Sequence, residues 1–256
     1  MPYYPPAAAR LPQSYMVGLV VDWSTQARVT ISAGACISDD GTTAIVVAAA
    51  LTVDITVSGI GGKGSPAAEA ANTFYAVWLW ADSTGLNQPG GTFDVSATSP
   101  TVPSGYDKKQ MVGFAKNNST SDFSGFRNVR ATAREREVHW GTGEATINII
   151  TAGTSTAYAT LDLSGFCPPG TALAYLATRG EMPGENDYIA FRPADETVTT
   201  GGFRIFGGDA DAGQSIASDM FHMRPDAARA IQYKCVPGGV WTVSLDLWLI
   251  GYVIDL

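Results

Sequence analysis

Short apolar, β-branched runs, each closed by a turn signal, recur from Met16 almost to the C-terminus, and this rhythm constrains the fold more than any other feature. Met16 to Val21 is apolar. Ala27 to Ser32 alternates and breaks at Gly34. Ser38-Asp-Asp-Gly41 is a turn signal, and Thr43 to Ala49 and Val53 to Val57 are the next runs. Runs of this length at this spacing predict strands. The strongest is Thr73 to Ala81, in which Phe74, Ala76, Trp78 and Trp80 fall on one face and Tyr75, Val77 and Leu79 on the other. With both faces apolar, it predicts a central strand covered on both sides. The 28 Gly and 14 Pro, beside only 16% charged residues, fit strands joined by tight turns. An average domain carries about 25% charge, so the low value also fits a surface partly covered by partner subunits.

The 256 residues allow one large or two small domains. Pro2, Pro5, Pro6 and Pro12 exclude a regular helix or central strand at the start. Residues 1–15 are therefore expected to be a Pro-rich arm, with Tyr3, Tyr4, Pro5 and Pro6 as candidate docking residues. Ser58 to Ser65 is a Gly-rich loop that lacks phosphate-loop spacing, because Gly64 follows Lys63. Pro66 to Ala71 predicts one or two helical turns. A boundary falls near the end of the charged stretch Arg127 to Trp140, giving domains at 16–137 and 138–256. In the second, Ala145 to Thr151, Ala157 to Leu163, Thr171 to Thr178, Tyr188 to Arg192 and Phe203 to Phe206 are strands, with Asp209 to Gln214 a polar loop. Ile231 to Val236 and Val240 to Tyr252 are expected to pair as a hairpin across Pro237-Gly238-Gly239. The fold expected is all-β: two antiparallel sandwich or jelly-roll-like domains.

On the last strand Trp241, Val243, Leu245, Leu247 and Leu249 share one face. The other face turns apolar toward Trp248, Ile250 and Tyr252. A sandwich strand has one inner face, so Trp78, Trp80, Trp248, Ile250 and Tyr252 are candidate inter-subunit packing residues.

Little in the chain points to chemistry. The net charge of −8 opposes nucleic-acid binding. Arg127, Arg130, Arg134 and Arg136 are the one basic cluster; Glu135 and Glu137 interleave with it, which reads as an ion-paired or solvated strand. Cys36, Cys167 and Cys235 lack metal or dithiol spacing and read as buried free thiols. His139 and His222 read as ordinary surface or core residues. There is no Gly-x-Ser-x-Gly elbow. Asp209 and Asp211 in one loop, and Glu181, Glu185 and Asp187 in another, are the carboxylates that a glycosidase or a calcium site would use, although solvated turns explain them more simply. Asp187, Tyr188 and Arg192 are candidate glycan contacts, with strand-core packing of the ring as the alternative. The opening is not a signal peptide and the longest apolar run, Ala44 to Leu51, is too short for a bilayer. A soluble protein made in the cytoplasm of its producing cell is expected, with no catalytic residue, cofactor, metal or membrane insertion.

Two segments carry a resemblance. YAVWLWADSTG from Tyr75 and FDVSATSPTVPSGYDKKQMVGF ending at Phe114, preceded by ISAGACISDDGTTAIVVAAALT, resemble a recurring module of phage tail-fibre and other virion structural proteins. The Pro168 to Gly170 turn, Tyr233-Lys234 and the Trp248 to Tyr252 ending are similar to a β-sandwich of such proteins. The resemblance spans most of residues 16–256 and implies a structural component of a tailed-phage or phage-like virion. By family analogy it implies a homotrimer and contacts with capsid, tail or baseplate proteins, and with host surface polysaccharide. The chain lacks the repetitive shaft of a fibre, which points to a compact appendage or adaptor. Capsid decoration, and a carbohydrate-binding or depolymerising protein, are the alternative expectations.

Overall fold

A computed structural model describes residues 15–65, 68–132, 135–141, 147–184, 186–197, 202–206, 216–239 and 242–256. The protein is all-β, built of several antiparallel sheets. It divides into two compact units, residues 1–136 with Leu256, and residues 137–255. Among the described residues there is no helix, and so none that could cross a membrane. The turns expected at Pro66 to Ala71 are not helical over Ala68 to Ala71.

The first unit holds β1 (Met16–Gly18), β2 (Val21–Thr25), β3 (Arg28–Ile31), β4 (Gly34–Ile37), β5 (Ala44–Val47), β6 (Leu51–Asp54), β7 (Phe74–Ala81), β8 (Gly90–Asp94), β9 (Lys108–Lys116) and β10 (Phe126–Ala131). The first nine form the three-stranded sheets β1-β4-β5, β2-β3-β6 and β8-β7-β9. β7 is central in its sheet, and Tyr75 to Ala81 are all buried. Its Leu79 side faces β3 and β6: a Cβ on Gly91, the partner of Leu79, would lie 2.5 Å from Val53 and 2.9 Å from Ile31. Its tryptophan side is covered by the same chain. Trp80 donates to the Thr92 hydroxyl at 2.8 Å, and Trp78 to the Ser96 carbonyl at 3.0 Å in the segment after β8. The Gly-rich segment is no free loop either. Lys63 N donates to Val57 O, Gly64 N donates to Phe93 O and Phe93 N donates to Gly62 O, which ties the segment to β8.

The second unit holds β11 (Glu135–Trp140, which begins just before the division), β12 (Ile147–Gly153), β13 (Ala159–Asp162), β14 (Thr171–Glu181), β15 (Tyr188–Pro193), β16 (Phe203–Phe206), β17 (Ile216–Met223), β18 (Ala230–Val236) and β19 (Ser244–Asp255). Two sheets face each other. In one, β19 has β14 on one edge, with β17 beyond, and β11 and β12 share its other edge. The second runs β13-β18-β15-β16. Leu245, Leu247, Leu249, Leu176 and Ala174 from the first bury against Ile189, Phe191, Ile231, Tyr233 and Cys235 from the second. Burying each large apolar side chain contributes about 1.5–3 kcal/mol. The sheets approach closely at Gly180, where a Cβ would sit 2.6 Å from Ile189 Cδ1.

Three expectations change here. β17 is a strand that the sequence pattern does not predict, because Ser218, Asp219 and His222 mask its alternation; Phe221 faces inward, 4.2 Å from the Phe203 ring and 5.0 Å from Phe191. The hairpin across Pro237-Gly238-Gly239 does not form: β18 pairs with β13 and β15, while β19 pairs in the facing sheet. The connection crosses between sheets. The last strand also changes phase. Gly251 opposes Tyr175 and Leu249 opposes Leu176, which leaves Ile250 as an extra residue, a β-bulge. Beyond it Tyr252 and Ile254 turn inward onto the side of Leu249, and both are buried.

Candidate interaction surfaces

The outer face of the β19 sheet is built by register. Trp248 lies between Asn148 on β12 and Ala177 on β14, and Ala177 opposes Met220 on β17. One row further along, Gly251 opposes Tyr175, which opposes His222. Leu173 and Val253 make the next pair. Paired residues share a face, so Trp248, Met220, Tyr175 and Leu173 look outward together, with Ile250 at the bulge. Met220 is 61% exposed, and Trp248, Ile250, Tyr175, Leu173 and Val253 are half-buried. A shallow depression of about 480 Å³ between β14 and β17 is lined by Ala177, Thr178, Ser218, Asp219 and Met220. A contiguous apolar sheet face is a characteristic of protein contact surfaces.

Both histidines of the chain meet on this face. The Tyr175 ring stacks on His222 at 4.4 Å and 11°, and lies 5.3 Å from the His139 ring. His139 Nε2 is 2.9 Å from Glu137 Oε1. Gly251 allows the row: a Cβ there would fall 2.0 Å from the Val138 carbonyl oxygen, so only glycine lets β11 close on β19. Sequence reasoning treated the two histidines as unrelated, since only the strand pairing brings them together.

The outer face of the β13-β18-β15-β16 sheet has a different chemistry. Lys234 and Arg204 both oppose Ala190, from β18 and β16, and Arg192 opposes Gln232, which opposes Thr160. The Arg192 guanidinium lies 3.7 Å from the Tyr158 ring centroid, and Lys234 Nζ 4.8 Å from the same ring. Arg204 stands 5.0 Å from the Tyr188 ring. Arg192 Nε donates to Gln232 Oε1 at 2.8 Å, and Gln232 Nε2 to Thr160 Oγ1 at 3.3 Å. Phe206, opposite Tyr188, is 60% exposed.

The predicted residues therefore separate. Trp248 and Ile250 lie on the outer face of their sheet. Trp78, Trp80 and Tyr252 are buried within their own units: Trp78 donates to the chain after β8, Trp80 to Thr92 on β8, and Tyr252 is turned inward by the bulge. Tyr188 and Arg192 share the cationic face, but Asp187 does not join them. It is fully buried, and its two oxygens accept from Gly184 N and Gly238 N, each at 2.6 Å. It holds a turn. Arg136 is also not a solvated or ion-paired strand residue: it is buried and donates to Gly18 O at 3.2 Å, to Glu135 O at 3.2 Å and to Thr132 O. Tyr3, Tyr4, Pro5, Pro6, Arg134, Glu185, Asp209, Asp211 and Trp241 lie outside the described residues.

Cys36, Cys167 and Cys235 are buried free thiols. Burial pushes Cys36 and Cys167 up to about 12 and Cys235 to about 11. Among the described residues no three His, Cys, Asp or Glu side chains gather as metal ligands. No protein-family model matches the chain, and a search of curated proteins finds no match.

Proposed function

We propose that this chain is a structural component of a phage or phage-like virion: a non-enzymatic surface appendage that assembles as a homotrimer on other virion proteins and meets host glycans. The observation that carries the reading is the outer face of the β19 sheet. It sets Trp248, Ile250, Met220 and Tyr175 on one outward face, with His139 and His222 beside Tyr175. Such a face suits a protein that works by packing against copies of itself. The motifs from Tyr75 to Phe114 and from Trp248 to Tyr252 support the virion context. A homotrimer also fits the preference of soluble oligomers for closed symmetry.

Light scattering on the purified full chain tests the assembly; a trimer is expected, and a stable monomer overturns it. Quantitative mass spectrometry of purified particles tests the context. Copies matching a few vertex or tail positions support the appendage, and copies matching the capsid subunits would instead make it a decoration protein. Absence from particles overturns the virion reading. Release of reducing ends from host polysaccharide by the purified chain would make it a depolymerase.

A further inference from the structure

We propose that the free edge of β5 receives the Pro-rich arm, residues 1–14, of a neighbouring copy as an added strand. The inference goes beyond the β19-sheet contact and rests on the appendage reading only for the presence of a second copy.

β5 ends the sheet β1-β4-β5, with β4 as its strand partner. Ser38 N donates to Thr43 O, which makes these two a hydrogen-bonded pair. Such pairs alternate along an antiparallel ladder. Ile45 and Val47 therefore bond to β4, and the N–H and C=O groups of Ala44 and Val46 point away from it. Among the described residues nothing pairs with those outward groups. Val46 is 59% exposed, and Ala44 and Ala48 to Ala50 are exposed beside it. Other edges in this unit are closed. Arg136 donates to Gly18 O on β1, Gly62 and Gly64 bond to Phe93 on β8, and Asn128 donates to Val21 O on β2. A bare strand edge is a template for another strand, and proteins protect one with Lys, Pro or a bulge. Gly41 to Val53 holds no charged residue and no proline, and the β4–β5 register runs without a shift. β5 thus lacks every one of these protections.

The arm fits as the occupant. It leads into β1 at Tyr15, whose carbonyl accepts from Ile37 N, so it leaves from the edge opposite β5 in the same sheet. Fourteen extended residues reach at most roughly 45–50 Å. Ala7 to Leu11 is the longest proline-free stretch of the arm, and it matches the four residues of β5. Pro6 and Pro12 flank that stretch and Arg10 lies within it, so the added strand brings the edge protection that β5 lacks. An arm that leaves one edge and is received at the other makes a head-to-tail contact, which generates a ring when the rotation closes. A trimer is such a ring.

Hydrogen exchange read by mass spectrometry on the full chain tests the edge. The Ala44 and Val46 amides are expected to exchange about tenfold more slowly in the full chain than in one lacking residues 2–11. The pair Ala8→Pro and Ala9→Pro should act like the deletion, since one of the two N–H groups faces β5 in either orientation of the strand. Unchanged exchange in β7 certifies each variant as folded, and the proline pair carries the test if the deletion unfolds. Val46→Pro removes an outward N–H without touching the β4 ladder. Co-expressing Val46→Pro chains, which keep the arm, with deleted chains, which keep the edge, should restore slow exchange at β5 of the deleted chains. Fast exchange in the full chain overturns the proposal. So does slow exchange that survives the deletion, which would give the edge to another occupant such as β5 of a second copy. Protection without rescue on co-expression would fold the arm back on its own chain and also overturn it. Light scattering reads the assembly separately: a trimer with a fast β5 fails the arm alone, and a monomer fails both.

Discussion

Asp187 shows how far a residue's role depends on neighbours that its own segment does not reveal. In the run Asn186-Asp-Tyr188 it reads as a polar loop residue beside an aromatic. Its structural role is set by Gly238, which follows the end of the neighbouring strand β18 and donates to Oδ1, while Gly184 donates to Oδ2. Removing the carboxylate leaves two backbone N–H groups without this acceptor, and each such loss costs about 1–3 kcal/mol. Asp187→Ala is expected to lower the urea midpoint clearly, and Asp187→Asn, which keeps one acceptor oxygen, to lie between it and wild type; an Ala variant as stable as wild type would remove the turn-holding role. Gly251 belongs to the same scale. A methyl group 2.0 Å from the Val138 oxygen cannot be accommodated without moving β11, so Gly251→Ala should destabilise the fold and change the near-UV signal of Trp140, which packs 5.6 Å from Tyr252. The cysteines offer a chemical readout. A thiol pushed up to about 12 carries almost no thiolate at neutral pH, and thiolate is the reactive form. Cys36 and Cys167 should stay unmodified by iodoacetamide in native protein and react fully in guanidinium, as read by intact mass; rapid native labelling would contradict their burial.

At the scale of elements, turn chemistry recurs in a pattern that the sequence displays. Asp40, Asp54, Asp82, Asp94 and Asp162 each accept a hydrogen bond from the backbone N–H two residues on, at Thr42, Thr56, Thr84, Ser96 and Ser164. Asn118 does the same for Thr120. The pattern is Asp or Asn, any residue, then Ser or Thr; the side chain closes the turn in place of a backbone carbonyl. Hydrogen bonds from Thr84, Thr56 and Ser164 hold Asp82, Asp54 and Asp162 below the ordinary carboxylate value, and Lys108 leads for Asp40. A depressed folded-state value means that the stabilisation is complete above the unfolded value near 3.8 and is lost as pH falls through the lower folded values. Stability measured in urea at fixed salt should therefore decline below about pH 4, and the combined Asp54→Asn and Asp82→Asn variant should decline less steeply. An unchanged slope would mean that the turns do not titrate with folding. The strands themselves are legible where the apolar run is unbroken and bounded by turn residues, as in β7 and β14. They were hidden where polar residues interrupt, as in β17, and the Ile250 bulge has no local signature because it exists only relative to the register of β14.

For the molecule as a whole, the sequence carried the fold class because strand length and turn spacing are local properties, while the two surfaces had to wait for the pairing. Trp248 and Ile250 could be placed on one face by counting alternate residues. Met220, Tyr175 and His222 join them only because β14 and β17 lie alongside in a fixed register. The same holds for Lys234, Ala190 and Arg204, which come from three strands. This composite origin separates assembly from folding in an experiment. Trp248 is half-buried on the outer face, whereas Leu247 and Leu249 on either side are fully buried in the core. Trp248→Lys should therefore leave the core layer intact and place a charge in the middle of the apolar face, where a subunit contact would have to desolvate it at a cost of several kcal/mol. Light scattering is expected to show a smaller species for this variant with an unfolding temperature close to that of the dissociated wild-type chain. Leu247→Ala, by contrast, should lose about 2–5 kcal/mol through the cavity it leaves, whatever the oligomer. A Trp248→Lys protein that keeps the wild-type mass at equal concentration would show that subunits meet elsewhere than on the β19 sheet.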